Sequence, residues 1–333
     1  MNITFLLGNG FDLNIDMKTR YSHFYPYYLK MPCGDNTHIE KFKTDLKKDL
    51  NNWADLELEF GKYMKDMTSL KHLDDVYEDL CDSLSEYLAK EESALSIADL
   101  DVSNFPNDLV FPENHLVLAD KQSLIEYKNK YANNNWRINI VTFNYTSTIE
   151  KLLYSENGDY PLPLRRGNNT SYKSILNKIL HIHGLINDGM ILGVNDASQI
   201  HNDVLKSDDD VLTTIVKPKR NQELKELIDK EAIDLIRQSQ LIVLFGLSFG
   251  DTDKFWWELI GKYMLNSGTC RVILFHKGDD FPSNHKHKKV REVKKIKSYF
   301  LSQTNLSPEQ KKQIEERIYI GCNTNIFKMK KRG

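Results

Sequence analysis

NITFLLGNGFDLN, residues 2–14, is an apolar run that ends in two glycines and is followed at once by an acid. Residues 3–7 predict a strand buried on both faces, and Gly8 and Gly10 allow a sharp turn after it. Such a turn lets the backbone approach a phosphate, and the N–H groups that begin the next helix favour an anion. A strand ending in Gly-x-Gly also occurs by chance, and the third glycine of the dinucleotide fingerprint is missing. A nucleotide loop and a plain strand-to-helix turn therefore both stay open.

Four further short runs have the same near-continuous hydrophobicity, at residues 138–143, 179–182, 241–245 and 271–276. Runs of this kind are typical of strands buried on both faces of a parallel sheet. Helical patterns lie between several of them, at residues 146–154, 221–238 and 252–265. The alternation predicts an α/β fold with a Rossmann-like, doubly wound and mostly parallel sheet, whose ligands bind at the carboxyl ends of the strands.

The long segment between the first two strands has a different pattern. Apolar side chains recur at steps of three and four from Phe42 to Met67 and again from Val76 to Leu88, as in amphipathic helices. We therefore assign residues 35–135 to a helical insertion, and residues 1–34 and 136–333 to a Rossmann-like core. The two parts are expected to form one compact unit.

Composition limits the class of protein. The 333 residues are 40% hydrophobic and 11% aromatic, enough to bury a large core. No stretch is long and apolar enough for a membrane span, and the first residues lack the pattern of a signal peptide, so we expect a cytoplasmic protein without a membrane partner. The four cysteines are widely scattered, which predicts reduced thiols and no metal site.

The charge distribution gives little support for a nucleic-acid partner. A formal net charge of -2 provides no global attraction to a polyanion. Residues 285–297 contain seven Lys or Arg and one Glu, and we interpret this basic stretch as a solvated helix face.

Polar residues follow four of the predicted strands. Besides the glycine loop, the motifs are VTFNYTST at residues 141–148, HIHG at 181–184 and FGLSFGDTD at 245–253. They place Asn144, His183 and Ser248 at strand ends, where a doubly wound sheet has its crevice. We therefore predict one crevice formed by these three residues and Gly8.

These motifs resemble those of a known family. GNGFD at residues 8–12 resembles the GAGxS loop of sirtuins, TFNY at 142–145 their TQN motif, HG at 183–184 their HG, and GLS at 246–248 their GTS. With WADLE at residues 53–57, the set is similar to the sirtuin-like AbiH family of phage abortive-infection proteins, whose hallmarks include GNGFDL, TFNYT, HIHG and W-x-D-L-E. The likeness extends from residue 1 to about residue 265 and includes the late strand at residue 271.

The resemblance implies a function as well as a fold. There is no paired-cysteine zinc module, Asp12 stands where sirtuins have Ser, and Thr146 stands where they have Asp, so protein deacylation is not expected. The resemblance instead implies an antiphage effector that binds NAD and hydrolyses it to nicotinamide and ADP-ribose. The alternatives are a module that senses NAD or ADP-ribose without chemistry, and a toxin acting on nucleic acid. Relatives also suggest a homo-oligomer and a phage-derived trigger.

Two residues are the predicted catalytic pair. The Asn144 amide suits the positioning of a ribose hydroxyl or of the attacking water, and His183 suits a general base because histidine titrates near neutral pH. His181 shares the strand face but lies deeper, so we expect a structural role. The predicted NAD-binding residues are Gly8, Asn9, Gly10, Asp12, Thr142, Gly246, Ser248 and Asp251, with Asp12 either a ribose ligand or a helix-start residue.

Several residues keep two interpretations. Glu57 lies within or beside the apolar stripe of its helix, where it either accepts hydrogen bonds from the N–H groups of the glycine loop, lies near the reacting ribose, or forms an ion pair with a lysine of the surrounding helices. Asp251 is either a ligand of the adenosine ribose or, like its neighbour Thr252, a helix N-cap. For Lys217 we expect an exposed loop lysine rather than a phosphate ligand. For Trp256 and Trp257 we expect core positions rather than a base-stacking platform.

Overall fold

The computed structural model describes residues 1–50, 52–155, 158–159, 162, 172–225, 227–279 and 285–331. Within these ranges the strands are β1 (Asn2–Leu7), β2 (Leu100–Asp101), β3 (Trp136–Thr142), β4 (Tyr154–Ser155), β5 (Gly158–Asp159), β6 (Ser174–His181), β7 (Leu241–Phe245), β8 (Arg271–His276), β9 (Ile318–Cys322) and β10 (Lys330–Lys331).

The helices of the same ranges are α1 (Gly10–Asn14), α2 (Tyr21–Tyr28), α3 (Thr37–Lys48), α4 (Leu56–Tyr63), α5 (Leu70–Ser93), α6 (Phe105–Val110), α7 (Leu118–Asn129), α8 (Thr148–Leu153), α9 (Asp209–Ile215), α10 (Lys217–Glu223), α11 (Ile228–Arg237), α12 (Lys254–Ser267), α13 (Lys286–Gln303) and α14 (Pro308–Glu315). None of these described helices has the length and hydropathy that crossing a bilayer demands. The basic stretch at residues 285–297 falls on α13, where most of its lysines are exposed.

The central sheet has six strands in the order β6-β3-β1-β7-β8-β9, and every pair in it is parallel. Strand β1 is central: Leu7 lies beside Thr142 of β3 on one side and beside Phe245 of β7 on the other. The predicted α/β fold with a Rossmann-like parallel sheet is therefore confirmed. Strand β9 was not predicted from the sequence, and β6 begins five residues earlier than predicted.

One predicted helix is wrong. Residues 221–238 were expected to form a single helix, but α10 ends at Glu223 and α11 begins at Ile228. Lys225 between them has φ 57°, in the left-handed region that a continuous helix does not allow. The other two predicted helices correspond to α8 and α12, each of which begins two residues later than expected.

The two faces of the sheet are covered by separate hydrophobic clusters. On one face, the side chains of β1 and β3 pack with α6, α7 and Phe327. On the other face, β7 and β8 pack with α11, α12 and α13. Trp257 is 1% exposed and Trp256 is 6% exposed within this second group, which confirms their predicted core positions.

A third cluster forms beyond the sheet. Helices α2 to α5 pack there with Tyr145 and with residues 186–216, which follow β6. The predicted insertion therefore contributes to two cores, because α6 and α7 pack on the sheet instead. The helix α2, assigned from the sequence to the Rossmann-like core, packs with α3 to α5. The domain boundaries at residues 35 and 135 stay a prediction.

Candidate functional site

Four loops meet at the carboxyl edge of the sheet. Strands β6, β3, β1 and β7 are neighbours in that order and run parallel, so their carboxyl ends lie side by side. His183, Asn144, Gly8 and Ser248 follow these strands in the same order. The structure therefore places the four predicted crevice residues on adjacent loops of one edge.

The glycines of the first loop pack against the loop after β7. The Gly8 N–H donates to the Phe245 carbonyl at 3.0 Å, and the Gly10 N–H donates to the Gly246 carbonyl at 2.9 Å. A Cβ on Gly10 would lie 2.4 Å from the Gly246 Cα, and Gly246 itself has φ +71°. Backbone packing between the two loops is thus a sufficient reason for glycine at these positions. Phosphate binding by this loop stays a prediction.

Asp12 is a buried acid on α1, with 1% of its surface exposed. Its Oδ2 accepts a hydrogen bond from Thr146 Oγ1 at 2.7 Å, whereas its Oδ1 makes no hydrogen bond of normal geometry with the described residues. Burial raises the pKa of Asp12 to about 6, against the opposing effect of the Thr146 hydroxyl and the Asn144 amide. A carboxyl group in this condition can exchange a proton near neutral pH.

The backbone of Asn144 is fixed from two sides. Its N–H donates to Thr142 Oγ1 at 3.1 Å, and its carbonyl oxygen lies 3.0 Å from His181 Nδ1. The other nitrogen of His181 lies 2.8 Å from Glu150 Oε1, so both ring nitrogens contact protein atoms, and the structural role expected for this histidine stays a prediction. The Thr142 hydroxyl also donates to the Leu7 carbonyl at 3.3 Å and is thereby engaged inside the protein.

The side chain of Asn144 contrasts with its backbone. It is 6% exposed, and neither Oδ1 nor Nδ2 makes a hydrogen bond of normal geometry in the described part of the chain, although the amide lies near enough to Asp12 to lower the pKa of its carboxyl group. Buried polar groups in folded proteins are nearly always paired, so an unpaired amide at a strand end suits a ligand that is bound only in the functional complex.

His183 is held by a carboxylate and an aromatic ring. Its Nε2 lies 3.3 Å from Asp253 Oδ1, and its ring meets that of Phe143 edge-on with centroids 5.4 Å apart. Gly184, with φ +73°, turns the chain directly after it, and a Cβ there would lie 2.2 Å from the Gly189 carbonyl oxygen. The glycine of the HG motif therefore shapes the turn that presents His183.

Asp253 continues into a buried ion network. Its Oδ1 lies 3.5 Å from Lys217 Nζ, and Lys217 Nζ lies 2.7 Å from Glu57 Oε2. The other oxygen of Glu57 accepts a hydrogen bond from the Tyr145 hydroxyl at 3.1 Å. The network thus joins helix α4, helix α10 and the loops after three strands of the sheet.

The expectation for Lys217 was wrong. It is the first residue of α10 and only 6% exposed, because its N–H donates to the Val194 carbonyl and seats the helix in the third cluster. For Glu57 the ion-pair interpretation is confirmed, although its lysine comes from α10 rather than from the helices around α4.

The charges in this network support one another. Burial opposes the ionisation of Asp253, but Lys217 and His183 outweigh it and hold the pKa of the carboxyl below its usual value. Burial likewise lowers the pKa of Lys217, but Asp253 and Glu57 raise it by more. Asp55 lies nearby, and burial together with the Glu57 charge raises its pKa to about 6.

The remaining predicted ligands lie nearer the surface. Asn9 is exposed, and its side chain exchanges hydrogen bonds with Thr19. Ser248 and Asp251 are exposed as well. The interpretation of Asp251 as an N-cap is wrong, because α12 begins at Lys254 and Asp253 occupies the N-cap position. In the described ranges, no three His, Cys, Asp or Glu side chains are grouped so that they could hold a metal ion.

The fold and the site together define the class of protein. The protein is a Rossmann-like α/β protein whose parallel sheet carries a buried Asp, Asn and His at one carboxyl edge, with a helical layer supplying further charges to that edge. The family model for bacteriophage abortive infection AbiH matches residues 4–275, and the chain belongs to this family. The match contains every site residue described above. No individual curated protein matches the chain.

Proposed function

We propose that this AbiH family member is an abortive-infection effector that hydrolyses NAD to nicotinamide and ADP-ribose. The observation that carries the proposal is the buried side-chain amide of Asn144, which makes no hydrogen bond of normal geometry to the described residues. Asn144 follows β3, whose two neighbours in the sheet are β1, which precedes Asp12, and β6, which precedes His183. An amide donates and accepts, as the ribose hydroxyls of NAD require.

The chemistry of NAD cleavage fits a site of this composition. Nicotinamide is a cationic leaving group that departs neutral, so its departure needs little acid catalysis. The demand falls on the ribosyl cation, which is stabilised by a fixed ribose, an aligned nucleophile and nearby negative or dipolar groups. Asp12 and Asn144 supply a carboxylate and an amide for this purpose.

His183 is the proposed base for a hydroxyl of the ribose. Asp253 Oδ1 lies 3.3 Å from His183 Nε2, in the place from which a carboxylate orients a catalytic histidine elsewhere. Lys217 keeps Asp253 ionised, since its ammonium lies 3.5 Å from the same oxygen. General-base catalysis of this kind typically contributes about 10²–10⁴-fold to a rate.

A nucleotide sensor without chemistry is the second candidate. One contact favours it: Glu92 of α5 accepts a hydrogen bond from Ser147 Oγ at 2.9 Å and lies 3.2 Å from Lys151 Nζ. Ser147 and Lys151 follow Asn144 closely in the chain, so a ligand bound at the site would change the contacts of the long helix α5. A sensor would use the same ligand contacts and leave NAD whole.

Nicotinamide release discriminates between the two candidates. The purified protein is incubated with NAD, alone and with phage lysate, and the products are separated by chromatography. An enzyme releases nicotinamide and loses this activity in Asn144→Ala and His183→Ala, whereas the exposed control variants Asn129→Ala and His201→Ala keep it. A sensor binds NAD in calorimetry and releases none. Absence of binding for both NAD and ADP-ribose at millimolar concentration would remove both candidates.

The proposal extends to the setting of the reaction. An effector that depletes NAD acts in the cytoplasm, where a phage-derived component would trigger it and a homo-oligomer would form the active species. Light scattering with and without phage lysate tests the assembly. A monomer at every concentration, together with full NAD cleavage, would show that assembly has no part in activity.

A further inference from the structure

The two carboxylate oxygens of Asp12 have different surroundings. Thr146 Oγ1 donates to Oδ2 at 2.7 Å and fixes the orientation of the group, whereas Oδ1 is buried and has no hydrogen bond of normal geometry to the described residues. A buried carboxylate oxygen left unpaired is costly in free energy. The side-chain amide of Asn144 likewise makes no hydrogen bond of normal geometry to the described residues, and it lies near enough to this carboxyl group to lower its pKa as a hydrogen-bond donor does.

The surroundings of Asp12 leave it able to take a proton. Burial raises its pKa to about 6, the Thr146 hydroxyl and the Asn144 amide lower it, Glu92 of α5 raises it and His181 of β6 lowers it. At neutral pH the carboxyl group is therefore mostly ionised, and it is a stronger base than an ordinary aspartate. Its amide neighbour is a neutral donor that can hold the oxygen of a small nucleophile.

We propose that Asp12 Oδ1 and the Asn144 amide bind the water that attacks NAD, and that Asp12 accepts its proton. This inference rests on the proposed hydrolysis. The water oxygen forms a bond to C1′ of the ribose, the C–N bond to nicotinamide breaks, and its electron pair stays on the nicotinamide nitrogen. The released water proton passes to Oδ1 and then to solvent. His183 and Asp253 are thereby left to hold a ribose hydroxyl.

The first test is Asp12→Asn, which keeps the shape of the side chain and an oxygen that Thr146 can donate to. The rate of nicotinamide release at saturating NAD is expected to fall about 10²–10⁴-fold, while calorimetry still detects NAD binding of wild-type affinity. Asp16→Asn is the matched control, since Asp16 is exposed just after the same helix, and it is expected to keep the full rate. An Asp12→Asn protein as fast as wild type would overturn the assignment.

The second test separates a base from a structural residue. Azide is an anionic nucleophile that needs no deprotonation, so added sodium azide is expected to restore nicotinamide release in Asp12→Ala and to yield 1-azido-ADP-ribose. An inactive Asp12→Ala protein that azide does not rescue would overturn the assignment. Loss of activity in Asn144→Ala and His183→Ala with full activity in Asp12→Asn would refute only this inference. A wild-type protein that never cleaves NAD would remove the proposed hydrolysis and this step together.

Discussion

The buried acid Asp12 should make the folded protein less stable at neutral pH than its amide variant. Its pKa is raised by burial from 3.8 to about 6, so the folded state holds the proton more tightly than the unfolded state does. Between about pH 4 and pH 6 the folded state binds more protons, and stability therefore falls as the pH rises. Above pH 6 the full cost of burying the charge is present. Asp12→Asn carries no charge and avoids that cost.

The magnitude follows from the change in pKa. A pKa raised from 3.8 to about 6 corresponds to about 3 kcal/mol, at about 1.36 kcal/mol per pKa unit. Asp12→Asn should therefore gain up to about 3 kcal/mol in the free energy of unfolding at pH 8, and roughly half of that at pH 5. The value is an upper figure, because the amide accepts a weaker hydrogen bond from Thr146 than the carboxylate does.

Urea unfolding of the wild-type and Asp12→Asn proteins, at pH 8 and at pH 5 and without nucleotide, measures the gain in the free energy of unfolding at each pH. Nucleotide is omitted because a ligand that binds only the folded state adds its own stabilisation. The exposed variant Asp16→Asn should leave the free energy of unfolding unchanged at both pH values. A destabilised Asp12→Asn protein, or a gain of the same size at both pH values, would refute the reasoning that burial of the charge raises this pKa.

Three further outcomes are expected. Lys217→Met should lower the free energy of unfolding by about 3–5 kcal/mol in urea titrations, because it removes the ammonium that neutralises the buried Glu57 and its neighbour Asp253. A loss no larger than that of an exposed lysine variant would contradict this expectation. Gly10→Ala should lower the free energy of unfolding by about 1–3 kcal/mol in the same assay, since the added Cβ would lie 2.4 Å from the Gly246 Cα in the loop after β7. An unchanged urea midpoint would show that the two loops separate without cost. Burial lowers the pKa of His72, so protonation of this histidine favours the unfolded state below about pH 6.5. The thermal midpoint of His72→Phe should therefore fall less between pH 7.5 and pH 5.5 than that of the wild-type protein. Equal falls for the two proteins would contradict this expectation.

The inner strands of the sheet were predictable because both of their faces are buried. Strands β1, β3, β7 and β8 contain near-continuous apolar runs, which is the pattern of such strands. Strand β6 lies at an edge, and Asn177 and Lys178 in its middle are exposed, so only its later, more buried part was predicted. Strand β9 at the other edge is short and contains Gly321, which weakens the strand pattern.

The site was predictable where one motif carries both the residue and the turn that presents it. Asn144 and His183 follow strands directly, so their position at the carboxyl edge needs only the parallel order of the sheet. The pairing of Lys217 with Glu57 joins residues 160 positions apart and has no local signal, since a lysine before a proline has the pattern of a loop. The N-cap was expected at Asp251 or Thr252 and lies at Asp253, because sequence patterns locate a helix start only to within a residue or two.

The Glu57–Lys217–Asp253 network has a consequence for the chain during its own synthesis. Its members leave the ribosome at widely separated times, and β1 acquires its second neighbour only when residues 241–245 have been made. A growing chain that already exposes Gly8, Glu57 and Asn144 has neither the lysine nor the aspartate that orients His183. The complete network therefore exists only in a chain that has been made as far as residue 253.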